Sequence, residues 1–414
     1  MNLVIRNIGQ LLVVPPGPVS GETMRTVPRI EGASLVARDG RIAWFGPADD
    51  APTIDGETTV LDARGGCVLP GLIDCHTHAV FAGTREREWV WKIEGKSYLE
   101  ILEAGGGIHT TVAAVRAATL DELVAAARPR LSRMLANGVT TAEIKSGYGL
   151  TVDDELKMLR AVRRLSVEQP IELVGTWLAA HAIPAEYRGR PGDYVDAITQ
   201  DGVLETIRRE RLAEFADVFC ERGAFDLPQA ERYLAACARF GLRAKVHADQ
   251  LTRMGASALA ARLGAVSADH LECIDDAGID ALKSAGTVPV LLPGCSLFLN
   301  SRPADARRLI RAGLPVAVAT DVNPGSCLIE SLPLVMSLAC TLLRMTPVEA
   351  AVACTANAAA AIDRADRLGA MAEGFAADLI VLDVPCIERM CYEVGRPCVR
   401  VIVKAGQVVH ERVD

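Results

Sequence analysis

His76 and His78 stand two residues apart at the end of an apolar run, in the stretch CVLPGLIDCHTH that covers residues 67–78. In extended backbone, residues two apart share a face, so the two imidazoles can converge on one point, and nitrogen donors at that spacing suit a divalent metal. Two ligands do not complete a site. Further along the chain His181, His247, His270 and Asp321 also follow apolar, strand-like runs. His76, His78, His247 and Asp321 together make a chemically sensible set for one zinc or iron ion, three neutral imidazoles and one anion with a position left open for water. Such a metal lowers the pKa of a water it holds to about 7. Asp321 can then act as ligand and proton shuttle, while His270, beside the metal, is placed to polarise a substrate carbonyl. Asp321 has a second reading as a helix cap, because Pro324 and Gly325 follow it. Lys145 could in principle be carboxylated and bridge two metals, but an ion-paired lysine is the simpler reading. His109 and His410 are given no role.

These residues need a frame that brings them to one place. Between residues 67 and 375, β-like runs alternate with helical ones, which predicts a parallel sheet covered by helices. The runs are 67–73, 139–144, 171–176, 215–219, 243–246, 266–268, 288–292 and 316–319. Eight closes a barrel, so the expected fold is α/β, a (β/α)8 TIM-like barrel whose active site lies at the C-terminal ends of the strands. The helices carry start and stop signals: Thr119 to Glu122 reads as a capping box with Gly138 as the stop, and Asp226-Leu227-Pro228 opens a helix that Gly241 ends. Short β-like pieces at 3–5, 11–14, 34–38, 41–45 and 60–63, with an Asp39-Gly40 turn, find counterparts at 378–382, 398–404 and 407–409. The two termini are therefore expected to build one small β-sandwich domain from residues 1–66 and 376–414, with the barrel, 67–375, inserted between them.

Bulk properties exclude several function classes. The 414 residues carry 44 basic and 52 acidic side chains, a net charge of −8, which leaves no basic footprint for nucleic acid or an anionic membrane. Twelve cysteines are scattered without a C-x-x-C pair and read as reduced, buried, small apolar residues. The N-terminus lacks the order of a signal peptide, and no run approaches the ~18 apolar residues of a membrane span, so a cytoplasmic protein is expected.

The motifs LPGLIDCHTH, KVHADQ, SADHLE and AVATDVNPGS resemble the amidohydrolase superfamily. FAGTRERE (81–88), AGGGI (104–108), GVTTAEIKSGYGL (138–150), AAHAIPAEYRGR (179–190), GTVPVLLPG (286–294) and SLACTLLRMTP (337–347) resemble, within it, the imidazolonepropionase family. The resemblance implies hydrolytic opening of the ring amide of 4-imidazolone-5-propanoate to N-formimidoyl-L-glutamate by a homodimer. It also implies roles for individual residues. Arg85 would pair with the propanoate, Tyr148 and His181 would hydrogen-bond the ligand, and Gln250 would contact the ring and join Asp321 and His270 as a catalytic group. Asn323, Gly325 and Ser326 would line the amino-acid end of the product. Gln250 stands where some members carry Glu, and the segments 295–303 and 326–328 depart from the family pattern. A nucleobase deaminase of the same superfamily and a non-catalytic barrel scaffold are the alternatives; Arg85 argues against the first, since a neutral base has no carboxylate to pair, and retention of every metal ligand argues against the second.

Overall fold

The computed structural model describes residues 2–96, 100 and 106–412, so the first two residues of the AGGGI segment lie outside the described residues. The chain starts in a mixed sheet: β1 (Asn2–Leu12), β2 (Arg29–Arg38), β3 (Arg41–Pro47), β4 (Thr58–Asp62) and β5 (Cys67–Pro70). The two pieces expected at 3–5 and 11–14 are a single strand, β1, interrupted by an irregularity between Ile5 and Ile8 where Asn7 adopts φ 55°. The barrel strands follow: β6 (Leu72–Asp74), β7 (Val139–Lys145), β8 (Glu172–Ala180), β9 (Phe215–Cys220), β10 (Arg243–Ala248), β11 (Ser267–His270), β12 (Val288–Leu291) and β13 (Ala317–Val318). They pair in parallel in sequence order, as the eight apolar runs predict. The chain then returns to the first sheet with β14 (Leu379–Leu382), β15 (Val399–Lys404) and β16 (Gln407–Glu411), giving the order β16-β15-β14-β5-β1-β2-β3 with β4 beside β1.

One expected strand divides. The run 67–73 is two strands in different sheets, because Gly71 redirects the chain: β5 pairs with β1 and β14, β6 with β7. A Cβ at Gly71 would lie 2.5 Å from the Thr140 side chain, so only glycine lets the crossing chain approach β7 this closely. In the terminal sheet, alternate residues face two cores. Leu3, Ile5, Leu35, Leu379, Val381, Val401 and Val403 share one internal cluster, while Leu69, Ile380, Leu382 and Ile402 join the core under the barrel helices. The period-2 pattern thus makes the sheet an internally packed layer that is also docked onto the barrel.

The helices obey their sequence signals. Thr119 and Glu122 form the reciprocal capping box of the helix Leu120–Ala136, which buries Leu123, Val124, Ala127 and Leu131, and Asp226 with Gln229 does the same for Leu227–Ala238. Three helices were not legible as such: Glu86–Ile93, Pro293–Leu299 and Ile387–Tyr392. The first matters for the site, since Arg85 is that helix's N-cap residue. No helix is long and apolar enough to cross a membrane, among the described residues.

Candidate metal centre and active site

The barrel closes at its chemistry. Beyond the ends of β6 and β13, the Asp321 N–H donates to the His76 carbonyl at 3.0 Å and the His78 N–H to the Val322 carbonyl at 2.9 Å. Below them, the buried Asp74 carboxylate accepts from the Thr320 N–H at 3.0 Å and hydroxyl at 2.7 Å. The seam that joins first strand to last is therefore what brings His76, His78 and Asp321 together. Asp321 has φ 53°, and no helix starts there, which removes its reading as a helix cap.

Ring nitrogens of His76, His78 and His247 lie within 4.8 Å of one another, all buried. Asp321 Oδ1 is 3.6 Å from His76 Nε2 and 3.7 Å from His78 Nε2. His76 Nε2 is buried and makes no hydrogen bond, as are His78 Nδ1 and His247 Nδ1. Burial, reinforced for His76 by Lys145 and for His78 by His181, pushes both pKa values far below the ordinary histidine range, so their nitrogens keep lone pairs at neutral pH. Converging imidazoles with unsatisfied nitrogens, those of His76 and His78 held unprotonated, fit a divalent cation beside a carboxylate.

Beneath this cluster the barrel interior holds five ionisable side chains that are fully buried: Glu143, Lys145, Asp217, Lys245 and Asp269. Lys145 Nζ lies 2.8 Å from Glu143 and from Asp217 and 3.5 Å from Asp269; Lys245 Nζ lies 2.7 Å from Glu143. This is the ion-paired lysine, not a carboxylated bridge. The carboxylates reach up to the histidines: Asp269 accepts from His76 Nδ1 at 2.6 Å, and Asp217 Oδ2 sits 2.9 Å from His247 Nδ1, too poorly aligned for a good hydrogen bond. Burial opposes the Asp217 charge, but His247 and Lys145 outweigh it and hold the carboxyl well below its usual range. A carboxylate on Nδ1 fixes the tautomer that offers Nε2 to a metal.

Five histidines do meet at one mouth. His181 directly follows β8, stacks on His78 with ring centroids 5.1 Å apart, and donates from Nδ1 to the Gly147 carbonyl at 2.9 Å, leaving Nε2 for a ligand. Burial and the neighbouring His247 push its pKa down to about 3. His270 goes the other way: burial disfavours its charge, but Glu272, Asp321 and Asp269 outweigh that and raise its pKa. Burial also raises the Asp321 carboxyl despite His270 and His247. The pair thus combines an imidazole whose pKa is raised with an unusually basic carboxylate.

A cavity of about 190 Å³ lies over these groups, lined by His78, Tyr148, His181, His247, Gln250, His270, Asp321, Asn323 and Ser326 among others. A larger one, about 770 Å³, adjoins it through Gln250, Leu251 and Leu299 and forms a vestibule; the chemistry is in the smaller cavity. Tyr148 is buried with its ring 5.7 Å from His78 and 5.2 Å from His181, so it faces the site rather than merely closing a turn. The Asn323 amide is spent within its own loop, donating to the Asp321 carbonyl and accepting from the N–H groups of Gly325 and Ser326. Gly325 does not line the cavity. It backs Arg85, whose Nη1 would be 2.2 Å from a Cβ at that position. Gln250 reaches Cys295 Sγ at 3.8 Å, and Cys295, read from sequence as a small apolar residue, lies with His270 and Asp321 in a second cluster of ligand-type atoms. His109 is exposed and stands outside the site.

Asp217 lies outside the quoted motifs, and Asp269, Glu143 and Lys245 stand inside them without a role read from sequence. Their signal is a charged side chain inside an otherwise apolar strand, as in AEIK, FADVF and AKVHA, where burial demands a partner.

The amidohydrolase family model matches residues 82–410, the class of metal-dependent hydrolases to which this barrel with a histidine-rich mouth corresponds. The imidazolonepropionase of Caldanaerobacter subterraneus subsp. tengcongensis is 45% identical over 98% of this chain and 97% of its own length, and that of Myxococcus xanthus is 46% identical over 99% and 97%. The chain belongs to the imidazolonepropionase family of amidohydrolases. Among solved structures, a zinc-bound adenosine deaminase from Xanthomonas campestris superposes with a TM-score of 0.72 over 100% of this chain and 94% of that one, at 18% identity, a likeness of fold alone.

Proposed function

We propose that the protein hydrolyses 4-imidazolone-5-propanoate to N-formimidoyl-L-glutamate, with His76, His78, His247 and Asp321 holding one zinc or iron ion. The observation that carries this reading is the joining of a three-imidazole cluster and Asp321 to a small cavity, with the partly buried Arg85 packed behind Gly325, next to Ser326 of the cavity wall. A cavity this small suits a compact ligand and excludes a polymer. When bound, the metal supplies Lewis acidity, which makes water nucleophilic at neutral pH.

The protein's own groups do the rest. Arg85 draws the propanoate to one end. Tyr148, His181 and Gln250 hold the ring so that its carbonyl faces the Asp321–His270 pair. Asp321 takes a proton from the attacking water, and His270 stabilises the charge that develops on the carbonyl oxygen. The ring C–N bond then breaks, and Asp321 returns the proton to the leaving nitrogen. A net charge of −8 and a small anionic substrate fit a cytoplasmic enzyme, and we extend the reading to a homodimer, which sedimentation would report as twice the chain mass.

The test is turnover of enzymatically generated imidazolonepropanoate, followed by loss of its ultraviolet absorbance. Ring opening by the metal-loaded protein, with formimidoylglutamate as product, is expected. Deamination of a nucleobase without ring opening would replace this reading with the deaminase one.

A further inference from the structure

The guanidinium of Arg85 is not free to grip a carboxylate with its full fork. Nε and Nη2 both donate to Glu88 Oε2, at 2.9 and 2.7 Å, and Glu88 Oε1 accepts from the Thr110 hydroxyl at 3.1 Å. That leaves Nη1, on the side of Gly325, and the second N–H of Nη2. One turn beyond Glu88 on the same helix face stands Lys92, half-buried, whose Nζ donates to the Gly325 carbonyl at 3.4 Å, a long bond to a neutral acceptor. No carboxylate lies within ion-pair distance of Lys92 Nζ among the described residues. Burial, and then repulsion from Arg85, lowers the Lys92 pKa. Two cations and one carboxylate therefore crowd against the backbone of Gly325, immediately before Ser326 on the cavity wall, and their excess positive charge calls for one more anion.

We infer that Lys92 is the second cation of the substrate's carboxylate subsite, sharing the propanoate with Arg85 Nη1 across Gly325. This rests on the functional reading above for the identity of the anion. Glu88 then has a defined part: it holds Arg85 in place and limits the subsite to one negative charge. The helix Glu86–Ile93 serves as a clamp that presents three charges at fixed spacing.

Replacing Lys92 by Met is expected to raise KM for imidazolonepropanoate roughly ten- to a hundredfold, the range of a lost charge-assisted hydrogen bond, with kcat within about twofold. Lys92→Arg should restore most of the affinity. On the methyl ester of the substrate, which has no charge to pair, wild type and Lys92→Met should have equal kcat/KM. Lys96→Met, a change at an exposed lysine of the same segment, should leave both substrates unaffected. An unchanged KM in Lys92→Met, or an equal loss on acid and ester, overturns the inference. A measurement on the unmutated protein guards against a misfolded variant: glutarate should slow acetylation of Lys92 by acetic anhydride severalfold and leave Lys96 unchanged, read by peptide mass spectrometry. Equal labelling with and without glutarate contradicts a carboxylate subsite at Lys92. If the wild-type protein fails to open the imidazolone ring, the functional reading falls, while the labelling result still decides whether Lys92 binds a carboxylate.

Discussion

Asp269 is spent on His76 Nδ1, which leaves Nε2 on the side of Asp321, while Asp217 lies beside His247 Nδ1. Asp269→Asn keeps the shape of the side chain and removes the carboxylate oxygen that lies 2.6 Å from His76 Nδ1. Metal affinity should drop roughly 10- to 100-fold, measured by competition with a chromophoric chelator, whereas an affinity within about twofold of wild type would show that the tautomer does not depend on this pair. The neighbouring arginines offer a similar contrast. Arg85 is largely buried and locked to Glu88, whereas Arg87 is exposed with its guanidinium over the Trp91 ring. Arg85→Ala should raise KM at least tenfold, and Arg87→Ala should change it little; equal small effects would remove Arg85 from the substrate site. In sequence the two are indistinguishable members of a charged run, TRERE, and only the structure shows which one turns inward.

At the scale of elements, buried carboxylates shape the loops that carry the site. Glu155 accepts the N–H groups of Gly147, Gly149 and Leu150 at 2.7, 2.7 and 2.8 Å, which fixes the turn that aims Tyr148. Glu221 does the same for the segment after Gln250, taking the N–H groups of Leu251 and Thr252 at 2.8 and 3.0 Å. Glu155→Gln can satisfy only part of that set, because one of its two terminal atoms is a donor. A destabilisation of about 1–3 kcal/mol and a drop in kcat/KM are expected, checked by denaturant melts and steady-state kinetics; an unaltered kcat/KM would mean that the turn holds Tyr148 without help. The strands and the convergence of His76, His78 and His247 were legible because apolar period and the spacing of ligand-type residues are local properties of a chain. The buried ion network was not, since Lys145 and Asp217 meet from strands 72 residues apart in number, and pairing across a barrel leaves no mark on either neighbourhood. Helix Glu86–Ile93 was hidden for another reason: its charged face reads as solvated, and Glu88 and Arg85 satisfy each other inward.

For the whole molecule, the terminal sheet and the barrel are held as one body by contacts that only the long way round the chain supplies. Glu349, buried at the start of the helix Pro347–Ala353, accepts from Arg25 at 2.7 Å and from Arg307 at 2.7 and 2.8 Å. Burial resists its ionisation, but Arg307, the Thr346 N–H and Arg25 more than offset this and lower its pKa. A carboxyl whose pKa is lower in the folded than in the unfolded chain stabilises the fold above the unfolded value and loses that contribution as pH falls through the folded one. Glu349→Gln should therefore cost about 3 kcal/mol at pH 7 and progressively less below about pH 4, measured by urea melts of both proteins across that range. A difference independent of pH would mean that the clamp is steric. A metal on the proposed ligands, His76 and His78 after β6, His247 in β10 and Asp321 after β13, would tie the barrel strands to one another, and at a thousandfold excess over its Kd it would add about 4 kcal/mol to stability.

The most direct test removes the metal with a chelator and titrates zinc or iron back while imidazolonepropanoate ring opening is recorded, in wild type and in Asp321→Asn. Activity should be absent in the stripped protein and rise to a plateau at one equivalent in wild type, with Asp321→Asn inactive even where it binds metal. Undiminished turnover by the stripped protein, or wild-type rates in Asp321→Asn, would contradict the assignment of His76, His78, His247 and Asp321 as the centre of the reaction.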